Sequence, residues 1–156
     1  MQFDRSTPRV RSTRATVSGR LAPSRFGLSM RTRFSNRTVA LVDDDPDILQ
    51  SMELAFRQEG ATVRTAGDGL GALHLVRESK PDLLVLDMML PRSSGLLVLE
   101  KMQEEGITTP VIMVTANQGR RHREFAVGLG AKEYLFKPVS LVRLLDLAET
   151  LLAKGA

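Results

Sequence analysis

The sequence predicts an α/β fold in which a doubly wound parallel sheet of five strands carries helices on both faces. From residue 38 onwards, apolar runs of strand length alternate with amphipathic stretches of helical length. The apolar runs contain few polar residues, which is typical of strands buried on both faces. The connections between them are short, and each parallel crossover needs a helix that returns the chain to the same edge of the sheet.

The first strand and helix are predicted from the residues that end them. Residues 39–42 form a short buried strand that leads directly into three acids, residues 43–45. Asp45 suits the N-cap of the following helix, and Pro46 suits its first turn. The helix carries apolar residues at helical spacing and is predicted to stop near Gly60.

The remaining elements alternate in the same way. Further strands are predicted at residues 61–65, 82–87, 111–115 and 133–136. Further helices are predicted at residues 69–79, 96–105, 120–129 and 141–153. Since no internal repeat or long linker interrupts them, the sequence predicts one folded domain over residues 38–156, without a DNA-binding domain.

Composition excludes several classes of protein. The chain has 156 residues with no Cys, no Trp and one Tyr. Without Cys, neither a disulfide nor a thiolate metal site can form, and this composition fits a cytoplasmic protein. No apolar run approaches the roughly 20 residues of a membrane span. With so few aromatic residues, broad stacking on nucleic-acid bases is disfavoured.

Charge divides the chain at residue 37. Residues 1–37 hold nine Arg against one Asp, a formal +8, so the net charge of +4 leaves −4 for residues 38–156. The first 37 residues are rich in Arg and Ser and lack apolar periodicity, which predicts a disordered N-terminal extension. Four interpretations of it stay open: an organelle transit peptide, an arm that binds phosphate-bearing polymers, a lipid-surface segment, or residues upstream of a natural start at Met30.

Polar side chains stand at the ends of four predicted strands. They are Asp43, Asp44 and Asp45 after the first strand, Asp87 at the end of the third, Thr115 at the end of the fourth, and Lys137 after the fifth. In a doubly wound sheet these ends share one edge, beyond which ligands bind, so the side chains are expected to converge. Simpler interpretations also exist: the acids as caps of solvated turns, Thr115 as a β-branched strand residue, and Lys137 as a surface cation.

Clustered carboxylates at this edge favour a cation. Two carboxylates about 4 Å apart repel by roughly 4 kcal/mol at an effective dielectric constant of 20, which raises their pKa values or requires a positive ion. With oxygen ligands alone, Mg²⁺ fits best, since it accepts carboxylates and keeps positions for water and phosphoryl oxygens. A carboxylate beside Mg²⁺, a lysine and a hydroxyl is suited to phosphoryl transfer, with Asp87 as the nucleophile that forms an aspartyl phosphate.

The segment from about residue 38 to residue 153 resembles a two-component response-regulator receiver domain of the single-domain, chemotaxis-regulator-like type. Five separated motifs carry the resemblance, in the family's order and spacing: Val42-Asp43-Asp44-Asp45, Leu86-Asp87-Met88-Met89-Leu90-Pro91 with Gly95, Val114-Thr115-Ala116, Gly130-Ala131, and Tyr134-Leu135-Phe136-Lys137-Pro138. The resemblance implies a flavodoxin-like sheet with the strand order 2-1-3-4-5. It also implies a cis peptide bond between Lys137 and Pro138.

The resemblance implies how the acids at this edge are used. Asp43, Asp44 and Asp87 would hold Mg²⁺, together with the backbone carbonyl of Met89. Asp87 would accept phosphate from a histidine of a sensor kinase or a phosphotransfer protein. The protein would then be a signalling phosphoacceptor and not an enzyme that acts on an external substrate.

The resemblance also implies how the signal is read. Thr115 and Lys137 would bind the phosphoryl oxygens, and Thr115 and Tyr134 would form the switch. Tyr134 would swing inward as the signal passes to a downstream protein on the face formed by the fourth helix, fifth strand and fifth helix. Met89 and Asn117 occupy the positions that resemble the family's tuning positions for loss of phosphate.

Two other functions remain open. A Mg²⁺-dependent phosphohydrolase with an aspartyl nucleophile would need a second acid two residues after Asp87, where Met89 stands. A pseudo-receiver that only binds partners is disfavoured by the complete set of acids, Thr and Lys. The basic residues 120–123 are either a docking patch for an acidic partner or a solvated helix turn. His74 and His122 are expected on the surface.

Overall fold

Five parallel strands form one sheet in the order β2-β1-β3-β4-β5 within residues 32–116 and 118–154, which are the residues that the computed structural model describes. The strands are β1 (Thr38–Val42), β2 (Thr62–Ala66), β3 (Leu83–Asp87), β4 (Val111–Thr115) and β5 (Glu133–Phe136). The helices are α1 (Pro46–Gln58), α2 (Gly69–Glu78), α3 (Gly95–Glu104), α4 (Arg120–Gly128) and α5 (Leu141–Lys154). The predicted fold class and strand order are confirmed, and element ends differ from the predicted ones by about one or two residues.

The core lies in two layers, one on each face of the sheet. On one face, α1 and α5 pack against strand residues such as Leu41 and Val85. On the other face, α2, α3 and α4 pack against residues one position further along, such as Val42 and Leu86. Every residue of β3 and β4 is buried, which explains why these strands are continuous apolar runs. None of the helices in the described part of the chain has the length and hydropathy needed to cross a membrane.

The helices differ in how their first turns are stabilised. Asp45, Asp68 and Ser94 cap α1, α2 and α3, each by accepting a hydrogen bond from a backbone N–H of the first turn. Gly119 precedes α4 and offers no side-chain cap, and the first turn of α4 contains no acid. Because the arginines among residues 120–123 lie at the positive end of the helix dipole, this turn is electrostatically unfavourable in isolation.

Residues 33–37, which the sequence analysis assigns to the N-terminal extension, pack onto the domain. Phe34 is fully buried, and its ring centroid lies 5.3 Å from that of Phe56 on α1. The backbone N–H of Phe34 donates to the carbonyl of Glu59 at 3.0 Å. The packed part of the chain therefore includes residues that the sequence assigns to a disordered extension. The disorder predicted for residues 1–31 concerns residues outside those that the structure describes.

Arg33 ties this segment to two helices. Its guanidinium nitrogens lie 3.2 Å from Glu59, which follows α1, and 2.9 and 3.0 Å from Asp146 and Glu149 on α5. The hydrogen bond with Glu59 is the main cause that holds the pKa of Arg33 above its ordinary value, against the opposite effect of burial. At least one arginine of the basic N-terminal stretch is therefore part of the folded structure.

Candidate functional site

The register of the sheet brings two buried carboxylates side by side. Val42 pairs with Leu86 across β1 and β3, so Asp43 and Asp87 are the next residues on neighbouring strands. Both are almost fully buried, at 1% and 3% exposure, whereas Asp44 is exposed. One carboxylate oxygen from each of the three aspartates lies within 4.8 Å of the others. The structure thus brings together the three acids of the predicted metal site, which are called the acid cluster below.

Lys137 places a positive charge between the two buried carboxylates. Its Nζ lies 2.8 Å from Asp43 Oδ2 and 3.0 Å from Asp87 Oδ2. Burial lowers the pKa of Lys137, but the bonds to Asp43 and Asp87 outweigh burial and raise the pKa above its ordinary value. Burial raises the pKa of Asp87, and the hydrogen bonds from Lys137 and from the Met89 N–H offset this only in part. Lys137 therefore stays an ammonium and reduces the repulsion between the two acids.

Thr115 ends β4 beside the acid cluster. Asp87 pairs with Val114 across β3 and β4, so Thr115 lies one position further towards the site. Its side chain is fully buried. Its backbone carbonyl accepts the N–H of Lys137 at 2.9 Å, which joins the end of β4 to the end of β5. The predicted phosphate-binding pair, Thr115 and Lys137, is thus held on adjacent strand ends.

Tyr134 lies on β5, and its side chain is buried against Met88 and Phe136. Its hydroxyl contacts Met88 Sδ at 3.9 Å, and its ring meets Phe136 edge-on with centroids 5.4 Å apart. Burial raises the pKa of Tyr134, while the charge of Arg123 acts in the opposite direction. The ring already points inward in this structure, and the inward swing predicted for Tyr134 stays a prediction.

Gly95 fixes the loop that follows Asp87. Its N–H donates to the Met88 carbonyl at 2.8 Å, and the Met89 N–H donates to Asp87 Oδ1 at 3.1 Å. A Cβ at position 95 would lie 2.3 Å from the Asp87 carbonyl oxygen and 2.8 Å from Met88 Cα. Because these are backbone atoms, no side-chain rotation relieves the clash. A glycine is therefore required for this close approach, and the close approach positions Asp87.

Replacing Gly95 with Ala is expected to destabilise the domain by about 1–3 kcal/mol, because the loop must shift to accept the Cβ. Urea denaturation of the purified variant measures the change. The matched control is Gly128→Ala at the end of α4, where a Cβ would meet nothing within 4 Å. The control is expected to be neutral or more stable by up to about 1 kcal/mol, since Ala favours the helix. Equal stability of the two variants would contradict the role given to Gly95.

Comparison with known proteins assigns this arrangement to a family. A family model for the response regulator receiver domain matches residues 39–149. The chain belongs to the response regulator receiver domain family. This receiver domain is 40% identical over 104 residues to the probable transcriptional regulatory protein TcrX of Mycobacterium tuberculosis, which covers 67% of this chain and 44% of TcrX. It is 35% identical over 116 residues to the response regulator MprA of Mycobacterium ulcerans, which covers 74% of this chain and 50% of MprA.

Solved structures resemble the receiver domain along most of its length. The receiver domain of the Francisella response regulator 1452 superposes with a TM-score of 0.74 at 30% identity, covering 78% of this chain and 100% of that one. A CheY-like receiver domain protein from Methanospirillum hungatei gives a TM-score of 0.73 at 29% identity, covering 76% and 94%. The chain spans about half the length of the curated relatives it matches.

The acid cluster of the receiver domain fits a hard divalent cation. Its donors are carboxylate oxygens, which Mg²⁺ prefers. Asp43 Oδ2 is buried and accepts no hydrogen bond of regular geometry, although Lys137 Nζ lies 2.8 Å from it. Asp45 lies outside the cluster, because its side chain accepts from the Asp47 N–H at 2.9 Å and caps α1. The three acids after β1 thus divide into one cap and two residues that face the site.

Mg²⁺ is expected to stabilise the receiver domain, because a ligand that binds the folded chain alone raises its free energy of unfolding. At about a hundred times its dissociation constant, the ion would add about 2.7 kcal/mol. Asp44→Asn is expected to remove most of this increment, whereas Asp47→Asn, an exposed aspartate outside the cluster, should keep it. Urea denaturation with Mg²⁺ and with EDTA gives both increments. An unchanged increment in Asp44→Asn would contradict the assignment of Asp44.

Several smaller predictions can also be compared with the structure. The Lys137-Pro138 peptide bond is cis, as predicted. His74 and His122 are exposed, as predicted. Asn117, predicted to tune the loss of phosphate, lies outside the described residues. Arg143 on α5 lines a cavity with Arg123 of the basic run and was not among the predicted residues. No local sequence pattern marks it, because its place beside Arg123 depends on how α4 and α5 lie against β5.

Proposed function

We propose that this receiver domain accepts a phosphoryl group on Asp87 from a histidine of a sensor kinase or a phosphotransfer protein, in a reaction that needs Mg²⁺. The observation that supports this most is the arrangement of Lys137 Nζ, 2.8 and 3.0 Å from the carboxylates of Asp43 and Asp87 at one edge of the sheet. Membership of the receiver family supports the same role for the chain.

The proposed chemistry is a transfer between two nucleophiles. An Asp87 carboxylate oxygen attacks phosphorus, the bond from phosphorus to the donor's imidazole nitrogen breaks, and that nitrogen keeps the electron pair. Mg²⁺, held by Asp43, Asp44, Asp87 and the Met89 carbonyl, would neutralise charge on the phosphoryl oxygens. The Lys137 ammonium pairs with a phosphoryl oxygen, and the Thr115 hydroxyl donates to another. Positioning and charge neutralisation supply most of the rate in such transfers.

The proposed output is a contact with a protein on the face formed by α4, β5 and α5. The names of TcrX and MprA describe them as regulatory proteins. A stand-alone receiver in the cytoplasm, as predicted from the sequence, belongs to this proposal. The size of the natural protein on an immunoblot tests the stand-alone organisation, since the matched 104 residues are only 44% of TcrX and a regulator of that length would be clearly larger than this chain.

Incubation with Mg²⁺ and acetyl phosphate, followed by intact-mass measurement, tests the proposal. We expect the mass to rise by one phosphoryl group per chain, and beryllofluoride to bind as a stable mimic. A pseudo-receiver would gain no phosphate and bind no beryllofluoride. A phosphohydrolase would release phosphate from excess acetyl phosphate over many turnovers, which the apolar Met89 in place of a second acid disfavours. Either of these outcomes would replace the proposed function.

Lys137→Ala is expected to leave phosphorylation possible but to weaken the response of α4 and β5 to it, because the cation that joins β5 to the phosphoryl group is gone. Chemical-shift changes in ¹H–¹⁵N spectra on beryllofluoride addition measure the response. The control is Lys132→Ala, an exposed lysine before β5. Shift changes in Lys137→Ala that equal those of the control would contradict this role for Lys137.

A further inference from the structure

We propose that the side chain of Met89 is an oxidation site: a hydroperoxide converts its thioether to the sulfoxide, and the sulfoxide shortens the time for which Asp87 keeps its phosphoryl group. This inference rests on the proposed function, because it adds an oxidant as a second input to the same acceptor. Three observations carry it: the exposure of Met89 among buried methionines, its backbone contact with the Asp87 carboxylate, and the fixed loop that holds both residues.

Met89 carries the accessible sulfur atom of the described part of the chain. The other four methionines that the structure describes are at most 3% exposed, whereas Met89 is 63% exposed. The buried ones are Met52, Met88, Met102 and Met113. Met89 belongs to neither layer of the core. The sequence contains no Cys, so no thiol competes for an oxidant. Among the sulfur atoms of the described residues, a peroxide therefore reaches that of Met89 first.

The backbone of Met89 lies against the phosphoacceptor. Its N–H donates to Asp87 Oδ1 at 3.1 Å, while Lys137 holds Oδ2 of the same carboxylate at 3.0 Å. Lys137 and Met89 thus lie beside different oxygens of Asp87. A methionine side chain is unbranched and has three rotatable bonds, so its sulfur can turn from solvent towards this carboxylate. A chemical change at the sulfur therefore occurs beside the group that carries the phosphate.

The loop around Met89 is fixed on both sides. The Gly95 N–H donates to the Met88 carbonyl at 2.8 Å, and the Gly69 N–H at the start of α2 donates to the Pro91 carbonyl at 3.4 Å. A Cβ on Gly69 would collide with the backbone of Ser93, so α2 and this loop are in close contact. Because the backbone is held and the side chain is exposed, oxidation of Met89 changes the site without disturbing the core.

The proposed oxidation is a two-electron oxygen transfer. The thioether sulfur donates an electron pair to the terminal oxygen of a hydroperoxide, an S–O bond forms, and the O–O bond breaks. The proton on the transferred oxygen passes to the leaving oxygen. The products are the sulfoxide and water, or an alcohol when the peroxide is organic. Sulfur is oxidised by two electrons and the peroxide is reduced by two, and methionine sulfoxide reductases reverse the change.

The sulfoxide offers water a hydrogen-bond acceptor that the thioether lacks. A thioether sulfur is a weak acceptor, whereas a sulfoxide is polar. Hydrolysis of an aspartyl phosphate needs a water in line with the bond between phosphorus and the Asp87 oxygen. A sulfoxide oxygen on Met89 would hold such a water in advance. We expect the loss of phosphate to become about fivefold faster, which corresponds to about 1 kcal/mol and is part of the cost of immobilising one water.

Limited treatment of the full chain with hydrogen peroxide, followed by mass measurement of proteolytic fragments, tests the site of oxidation. We expect Met89 to gain one oxygen atom before any of the four buried methionines does. Oxidation of one of these four at the same rate as Met89, or faster, would overturn the assignment. Met1 and Met30 lie outside the described residues, and their fragments are counted separately.

A partly oxidised sample tests the effect on the phosphoryl group. After catalase has removed the peroxide, the chain is loaded with acetyl phosphate and Mg²⁺ and then desalted. Intact mass follows the loss of phosphate from oxidised and unoxidised chains in the same tube. We expect the oxidised chains to lose phosphate faster by the factor given above, and the reductases to restore the slower loss. Equal loss from both, or slower loss from the oxidised chains, would overturn the inference.

Two variants assign the effect to Met89. Met89→Leu keeps Met1, Met30 and the buried methionines, and its rate of phosphate loss should be the same before and after peroxide. Met89→Gln carries a permanent amide oxygen and should lose phosphate faster than Met89→Leu without any peroxide. Met88→Leu removes the neighbouring buried thioether and should respond to peroxide as the wild-type chain does. A response of Met89→Leu equal to that of the wild-type chain would place the effect at another sulfur and overturn the inference.

The two measurements separate this inference from the proposed function. If Asp87 takes up phosphate and peroxide leaves its loss unchanged, this inference is overturned while the phosphoacceptor role stands. If neither oxidised nor unoxidised chains take up phosphate, the proposed function fails, and the effect on phosphate loss fails with it. The fragment masses still decide in that case whether Met89 is the oxidation site.

Discussion

Replacing Asp87 with Asn is expected to abolish phosphorylation of the receiver domain by acetyl phosphate. The amide lacks the charged oxygen that attacks phosphorus, and no other acid of the cluster lies at the end of β3. Intact mass after incubation with Mg²⁺ and acetyl phosphate should therefore show one added phosphoryl group in the wild-type chain and none in the variant. Asp47→Asn, which removes an exposed aspartate outside the cluster, should behave like the unmodified chain.

Loss of folding would not explain this result. The pKa of Asp87 is raised above its ordinary value in the folded chain, chiefly by burial. The stability that a group with a raised pKa contributes is present below the unfolded pKa and is lost as pH rises through the folded pKa. At neutral pH the ionised Asp87 therefore costs stability, and Asp87→Asn is expected to unfold at an equal or higher urea concentration. Phosphate on Asp87→Asn at the level of the unmodified chain would overturn Asp87 as the acceptor.

Replacing Phe34 with Ala is expected to lower the free energy of unfolding by about 3–5 kcal/mol, because the change leaves a cavity against Phe56 in the core. This is a large share of the stability of a typical domain. Urea denaturation measures the loss as a lower midpoint with an unchanged slope. The control is Phe125→Ala on α4, where the ring is 56% exposed, and its effect should stay within about 1 kcal/mol.

Truncation gives an independent measure of the same contact. A chain that starts at Thr32 keeps Arg33 and Phe34, and its unfolding midpoint is the reference for the comparison. A chain that starts at Thr38 loses both and should be destabilised at least as much as Phe34→Ala. Equal midpoints for the two truncated chains would show that residues 33–37 add nothing to the fold.

The fold was predictable because the apolar composition of its central strands reflects their burial on both faces. β3 and β4 are buried at every position, so their sequences contain no polar residue before Asp87 and Thr115. The helices between them have caps with recognisable side chains, such as Asp45 and Ser94. Burial on both faces and local capping are properties that a single stretch of sequence carries by itself.

The candidate site was predictable to the level of which strand ends meet, and no further. The sequence placed three acids after β1, but only side-chain directions separate the cap Asp45 from the site residues Asp43 and Asp44. Phe34 was missed because one aromatic residue among arginines and serines shows no periodicity. Arg123 and Arg143 line the same cavity because of how α4 and α5 lie against β5, which is a tertiary property.

All the site residues lie at the carboxyl ends of the strands. Insertions at this end of the sheet and at the opposite end are therefore expected to have different effects. A one-residue insertion within β1 would turn Asp43 to the opposite side of its strand, because successive side chains alternate. The turns at the amino ends of the strands carry no site residue. One of them contains Gly106, which is exposed, and a Cβ added there would meet nothing within 4 Å. Insertions that evolution or a protein engineer places there would lengthen the chain without touching the chemistry.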